Sequence, residues 1–226
     1  PCRVACVALA GPWRGECRLS PAVSANVLMD LEGSEPFLLV PDPERAGCEE
    51  MLVRALGGSG FVIGPVVEVA EAGLSLRLAR QTLALCRRGI IACDPPVRSA
   101  DHLPTLLMFS DEGLLDLMSR GVYAPLARLI PTRRQRLTET LLAYLDNGSV
   151  PEIATRLRIH PQTARYRLGR LQDLYGDRLQ DPDWCFHMHL VLRARALLDR
   201  ETTTPGPAPS PPPPPATNHR GPPREK

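Results

Sequence analysis

The chain has 226 residues, 43% of them apolar and 4% aromatic, with a formal net charge of +2. That length suits one large or two small domains. No apolar run reaches the roughly 18 residues of a membrane span, no secretory leader is visible, and seven cysteines without a CxxC pair read as buried reduced thiols of a cytoplasmic protein rather than a disulfide scaffold. Cys2, Cys6 and Cys17 have no nearby histidine, so no metal is expected.

Val4–Ala10 is an apolar run of strand length. The chain begins at Pro1 rather than Met, already inside this strand-like run, as a piece of a longer protein would. Residues 21–31 are expected to form a helix with Val23, Val27, Leu28 and Leu31 on one face. Phe37–Val40 reads as a second strand, and Pro43–Leu56 as a helix stopped by Gly57–Gly58. Phe61–Ile63 starts a third strand that continues into Val66–Val69. Leu74–Arg88 is an amphipathic helix, with Leu76, Ala79, Leu83 and Cys86 recurring at helical spacing and Gly89 as its stop. Ile90–Cys93 reads as a fourth strand.

Alternating strands and helices predict an α+β sandwich, helices over a sheet, for residues 1–95. It holds no phosphate-binding loop with a lysine, no Ser/His/Asp pattern and no HExxH, so no catalytic constellation and no cofactor site is expected. Residues 96–131 read as a helical connector. Its leucine-rich stretch, Leu103–Ile130, is capped by Ser110 or Asp111 and interrupted by Gly113 and Gly121. One face carries Leu114, Leu117 and Met118, which serve either dimerisation or packing within the monomer.

Residues 132–199 read as an all-helical domain, and they carry an excess of positive over negative charge that the first 131 residues lack. Residues 132–179 carry nine arginines against five acidic residues, whereas 1–131 carry twelve against fifteen. A first helix over 132–146 has Leu137, Leu141, Leu142 and Leu145 on its apolar face and ends at Asn147–Gly148. Ser149-Val150-Pro151-Glu152 has the S-x-x-E spacing of a capping box, with proline in the first turn. It starts a short second helix, Val150–Leu157, in which small Ala154 allows a close crossing. Arg158-Ile159-His160 is the turn, and Pro161 opens a third helix. At 100° per residue, Ala164, Leu168, Leu171 and Tyr175 share its core side, and Gln162, Tyr166 and Gly169 point away with Thr163 and Arg165 flanking them.

A short helix, a tight turn and a basic helix form a helix–turn–helix, whose last helix enters the DNA major groove with its N-terminal residues at the base edges. Gln162, Thr163, Arg165 and Tyr166 are therefore the candidate base readers, since Gln suits adenine and Arg suits guanine. Arg158, Arg167 and Arg170 are the candidate phosphate contacts. The competing reading is a helical bundle with a solvated arginine face. A closing helix runs from Asp181–Pro182 to about Asp199. Residues 200–226 are a proline-rich tail without apolar periodicity and are expected to be disordered.

Thr140-Leu141, Tyr144-Leu145, His160, Thr163, Tyr166-Arg167-Leu168 and Leu171 together resemble the C-terminal helix–turn–helix of the PucR/CdaR group of bacterial transcription regulators. The resemblance covers about 136–198. The chain departs from the group at Gln162, where Asn is usual, and at Pro161, where Arg is frequent. Upstream, Ser75, Ala79 and Thr82-Leu83 resemble, more faintly, a helix of the degenerate GGDEF-like domain that precedes this helix–turn–helix. Gly57-Gly58-Ser59-Gly60-Phe61 is not the cyclase signature. The resemblance implies a non-enzymatic, DNA-binding transcription regulator whose partners are double-stranded DNA, a further copy or copies of itself, and a small-molecule effector, with no membrane. The reading from a different class is an effector-binding or protein-interaction module whose helical end does not bind DNA specifically.

Overall fold

The first apolar run is the centre of a sheet. In this computed structural model, which describes residues 2–11, 27–56, 60–94 and 96–203, β1 (Arg3–Leu9) pairs antiparallel with β3 (Phe37–Pro41) on one side and with β4 (Phe61–Ile63) and β5 (Val67–Glu68) on the other. β2 (Leu28–Asp30) extends the sheet beyond β3, and β6 (Val97–Arg98) lies parallel to β4. The order is β2-β3-β1-β4-β6. Val4 to Leu9 are all buried because both faces of β1 are covered, which is why the strand reads as a continuous apolar run rather than an alternating one. On one face Ala5, Val7 and Leu9 meet Leu52, Ala55 and Leu56 of α1 (Cys48–Leu56). On the other, Ala8 and Val62 meet Ala79, Leu83 and Cys86 of α2 (Ala72–Arg87) and Leu106 of α3 (Leu103–Met108).

Two strand–helix contacts fix this sandwich. The Ser75 hydroxyl accepts from the buried Cys6 N–H at 2.9 Å and donates to the Pro65 carbonyl at 2.8 Å. The Gly64 N–H donates to the Cys6 carbonyl at 2.7 Å, which draws the Gly64 backbone onto the first turn of α2.

Several expectations change here. Residues 12–26, most of the helix expected over 21–31, lie outside the described residues, and Leu28–Asp30 is a strand, held by its ladder to β3. The expected start of α1 at Pro43 moves to Cys48, after a run of turns, and its expected Gly57–Gly58 stop lies outside the described residues. The continuation of the third strand is only Val67–Glu68. Ile90–Cys93 is not a strand. The Ile90 and Ile91 amides turn back to the Leu85 carbonyl after Gly89 (φ 73°), so the pair is buried as a hydrophobic plug with no ladder partner. β6 takes that place in the sheet. Of the described cysteines, Cys6 and Cys86 are buried, but Cys2 and Cys93 are exposed.

The second half is all helical: α4 (Glu112–Ala127), α5 (Pro131–Asn147), α6 (Val150–Leu157), α7 (Pro161–Tyr175) and α8 (Pro182–Thr203). Asp111 caps α4, accepting from the Leu114 N–H at 2.9 Å. Gly113 and Gly121 do not interrupt α4, which is helical through both from Glu112 to Ala127. Its core face is Leu115, Ser119, Val122 and Leu126, with Met118 half-buried beside it, while Leu114 and Leu117 point to solvent. Leu137 and Leu141 of α5, Leu171 and Tyr175 of α7 and Met188, Val191 and Leu192 of α8 complete this core. The Tyr175 ring lies 5.0 Å from that of Trp184, and its hydroxyl donates to the Val122 carbonyl at 3.0 Å. Leu197 and Leu198 of α8 also pack against the α2–α3 cluster, joining the two halves. No helix of the described residues is long and apolar enough to cross a membrane.

Candidate nucleic-acid interface

Proline starts α5 and α7 and lies in the first turn of α6, where its missing N–H leaves no hydrogen bond unmade. Gly148, in the left-handed region at φ 75°, ends α5 and turns the chain into α6. The S-x-x-E pattern works differently from a capping box. The Ser149 side chain accepts no backbone N–H of α6; its hydroxyl donates to the Glu152 carboxylate instead. The pattern still marks the helix start, with Ser149 extended at φ −99°.

Ile153 and Ala154 of α6, Ala143 of α5 and Ala164 of α7 form a small buried cluster, with Leu157, Ile159 and Leu168 half-buried around it. Three alanines among the four fully buried members let these helices approach closely. The turn closes when the Ile159 N–H donates to the Ala154 carbonyl at 3.0 Å, five residues back, while Arg158 sits left-handed at φ 52°. Glycine is the unstrained residue for such a position. Arginine there costs on the order of 1–2 kcal/mol, and it places an exposed guanidinium beside the start of α7. His160 then caps α7, its Nδ1 accepting from the Gln162 N–H at 3.2 Å.

The core face of α7 is Ala164, Leu171 and Tyr175, fully buried, with Leu168 half-buried. The opposite face at the N-terminal end presents Gln162, Arg165 and Tyr166 to solvent, with Thr163 half-buried at its edge. Tyr166 is 62% exposed and belongs to none of the buried apolar clusters among the described residues. The arginines separate by partner. Among the described residues neither Arg158 nor Arg165 is ion-paired. Arg170 pairs with Asp173 at 2.8 Å on the surface. Arg167 is half-buried and donates to the Thr140 hydroxyl at 3.4 Å, leaning on α5. Thr140 is itself buried and donates to the Arg136 carbonyl at 2.7 Å.

A charged cluster that spacing along the chain does not reveal holds these helices in place. Asp146, 8% exposed at the end of α5, bonds Arg156 of α6, His189 of α8 (Nε2 at 2.7 Å) and Arg193 of α8 (2.6 Å). Its partners lie 10, 43 and 47 residues away, outside any local pattern. Burial acts to raise the Asp146 carboxyl, but hydrogen bonds from Arg193, Arg156 and His189 outweigh it and hold the group at about 2, below the ordinary 3.8. A depressed carboxyl contributes stability above its unfolded pKa, and that contribution is lost as pH falls from about 4 to about 2. Arg156 and Arg193 are about half exposed and therefore screened, which leaves roughly 1–2 kcal/mol. Urea midpoints measured across that window should fall for the wild type. They should fall less for Asp146→Asn, which starts from lower stability at neutral pH; parallel curves would remove the cluster from the account.

Elsewhere, a groove of about 490 Å³ opens beside α1, lined by Glu44, Arg45, Cys48, Glu49, Gly64 and Arg98. Arg98 and Glu49 pair within it. Among the described residues no group of three or more His, Cys, Asp or Glu side chains is placed to hold a metal ion.

An uncharacterized protein of Mycobacterium tuberculosis is 33% identical over 129 residues, covering 55% of this chain and 30% of its own length. The purine catabolism regulatory protein of Bacillus subtilis is 37% identical over 65 residues, 28% of this chain and 12% of that protein. The chain thus spans under a third of the length of these curated relatives. A solved structure, a regulator of polyketide synthase expression from Bifidobacterium adolescentis, aligns over 86% of this chain and 85% of its own at 21% identity, with a TM-score of 0.38. Residues 137–194 match the family described as the PucR C-terminal helix–turn–helix domain.

Proposed function

We propose that the chain is a transcription regulator that binds duplex DNA as a homodimer, reading bases through the N-terminal end of α7. The observation that carries this reading is the division of α7 into a buried face and an exposed end bearing Gln162, Arg165 and Tyr166, inside a PucR-type helix–turn–helix. Arg165, with no ion-pair partner among the described residues, can form a bidentate bond to guanine, and Gln162 to adenine. Thr163 and Tyr166 complete the reading edge. Arg158 and Arg170 approach phosphates from either end of the helix, and Arg167 reaches the backbone from its seat on Thr140. The Arg170–Asp173 pair is an exposed one of low strength, which a phosphate can displace. Two copies reading two half-sites supply the affinity that a single short helix lacks.

The α/β half is read as a degenerate GGDEF-like domain that senses a small-molecule effector and does not cyclise nucleotides, and the charged groove beside α1 is the cavity it offers. Arg165→Ala is expected to weaken specific binding by roughly 1–3 kcal/mol and to relax one base position. Arg170→Ala should weaken all sequences alike and lower the salt slope by about 1. Titrations at several salt concentrations separate the two effects, and a footprint unchanged by both substitutions would remove α7 from the interface.

A further inference from the structure

α4 has an outward face that the described residues leave uncovered. Its core side is Leu115, Ser119, Val122 and Leu126. On the opposite side, at 100° per residue, lie Gly113, Leu114, Leu117, Gly121 and Ala124, all exposed, with Leu117 at 64% and Leu114 at 55%. Both large residues of the face, Leu114 and Leu117, lie in its N-terminal half, after Gly113, and its C-terminal half carries only the small Gly121 and Ala124. Gly121 lies in the interior of the helix, where glycine weakens a helix relative to alanine. A Cβ built there meets no atom within 4 Å, so the monomer has room for a side chain at this position; Pro125, four residues on, leaves the Gly121 carbonyl without its helical N–H. One flank of the face carries the exposed pair Asp116–Arg120, 2.7 Å apart.

We propose that this face of α4 is the surface through which two copies of the chain pair, antiparallel, about a two-fold axis level with residues 118–119. The sequence order of the face argues for a second copy as the occupant, because the pattern is its own complement. An axis at that level sets Leu117 against Gly121 of the other copy and Leu114 against its Ala124, each large side chain over a small residue. It also sets Asp116 opposite the other copy's Arg120 on the shared flank. The two matches share one axis to within a single residue, about 1.5 Å of helix rise. The absent side chain at Gly121 is then the space that the opposing Leu117 fills. This inference rests on the homodimer reading above and names the surface that reading needs.

Sedimentation of the full chain without DNA tests it, so that failure of the surface and failure of DNA recognition stay separate. The wild type is expected to be a dimer. Gly121→Leu should weaken the dimer by roughly 30-fold or more with circular dichroism unchanged and, at concentrations low enough that both proteins are monomeric, a melting temperature no lower than wild type, since the monomer has room for the side chain. Asp116→Arg and Arg120→Asp should each weaken self-association by setting like charges opposite one another. Mixed together, they should recover a heterodimer, in which both facing pairs are again opposite in charge. A role confined to the monomer predicts no such recovery. A wild-type monomer, a Gly121→Leu dimer of wild-type affinity, or a mixture no stronger than its components would each overturn the proposal. A dimer that fails to bind DNA would leave this surface standing and remove the regulator reading instead.

Discussion

Leu171→Ala is expected to lower the stability of the helical half by about 3–5 kcal/mol, measured as a shift in the urea midpoint of its transition. Leu171 is fully buried, on the side of α7 away from Gln162 and Arg165, among Val122 and Leu126 of α4, Leu137 and Leu141 of α5 and Met188, Val191 and Leu192 of α8. Truncation there opens a cavity walled by four helices, and backbones packed on every side cannot collapse into it. A loss of this size is a large share of a domain's whole stability. Because Leu171 does not share the exposed face, the fraction that remains folded should bind DNA with the wild-type salt slope. Leu174→Ala, at a half-buried position, should cost distinctly less. Equal losses at 171 and 174 would contradict the assignment of the core face.

The second large effect belongs to the α/β half. Gly64→Ala is expected to destabilise it by about 3 kcal/mol, at the upper end for overpacking a tight site. A Cβ at position 64 would lie 2.4 Å from the Ser75 carbonyl oxygen and 2.5 Å from its hydroxyl. The carbonyl belongs to the first turn of α2, and the hydroxyl is held by the Cys6 N–H and the Pro65 carbonyl, so neither can retreat without breaking the strand–helix joint. Adding Ser75→Ala removes the hydroxyl but not the carbonyl. The double substitution should therefore show no rescue in thermal melts, and recovery to wild-type stability would show that the contact is with a movable side chain.

Periodicity read the helical half well because its helices are amphipathic and punctuated. Pro161, Gly148 and the Ser149–Glu152 spacing mark ends, and the alternation of Leu171 and Ala164 with Gln162 and Arg165 divides a face. It read the sheet less well. β2, β5 and β6 are three residues or fewer, held by ladder bonds to strands far along the chain, and so short a segment carries no period of its own. Ile90–Ile91 misled for the converse reason: two buried apolar residues look like a strand whether their amides find a ladder or, as here, the end of a helix. At the candidate interface the exposed residues were legible, but their partners were not. The lean of Arg167 onto Thr140, the pairing of Arg170 with Asp173 and the left-handed seat of Arg158 depend on how the turn folds. The Asp146 cluster joins three helices across as many as 47 residues and leaves no local trace. The glycine at 121 looked like an interruption of α4 and is instead a gap in its outer face.

Selection of bound duplexes from a random pool, run in parallel with the wild type and Arg165→Ala, tests DNA reading by α7 most directly. The wild type is expected to enrich a defined half-site, and Arg165→Ala to yield the same site with one guanine position relaxed. A wild-type pool without enrichment, or identical consensus sequences from the two proteins, would contradict it.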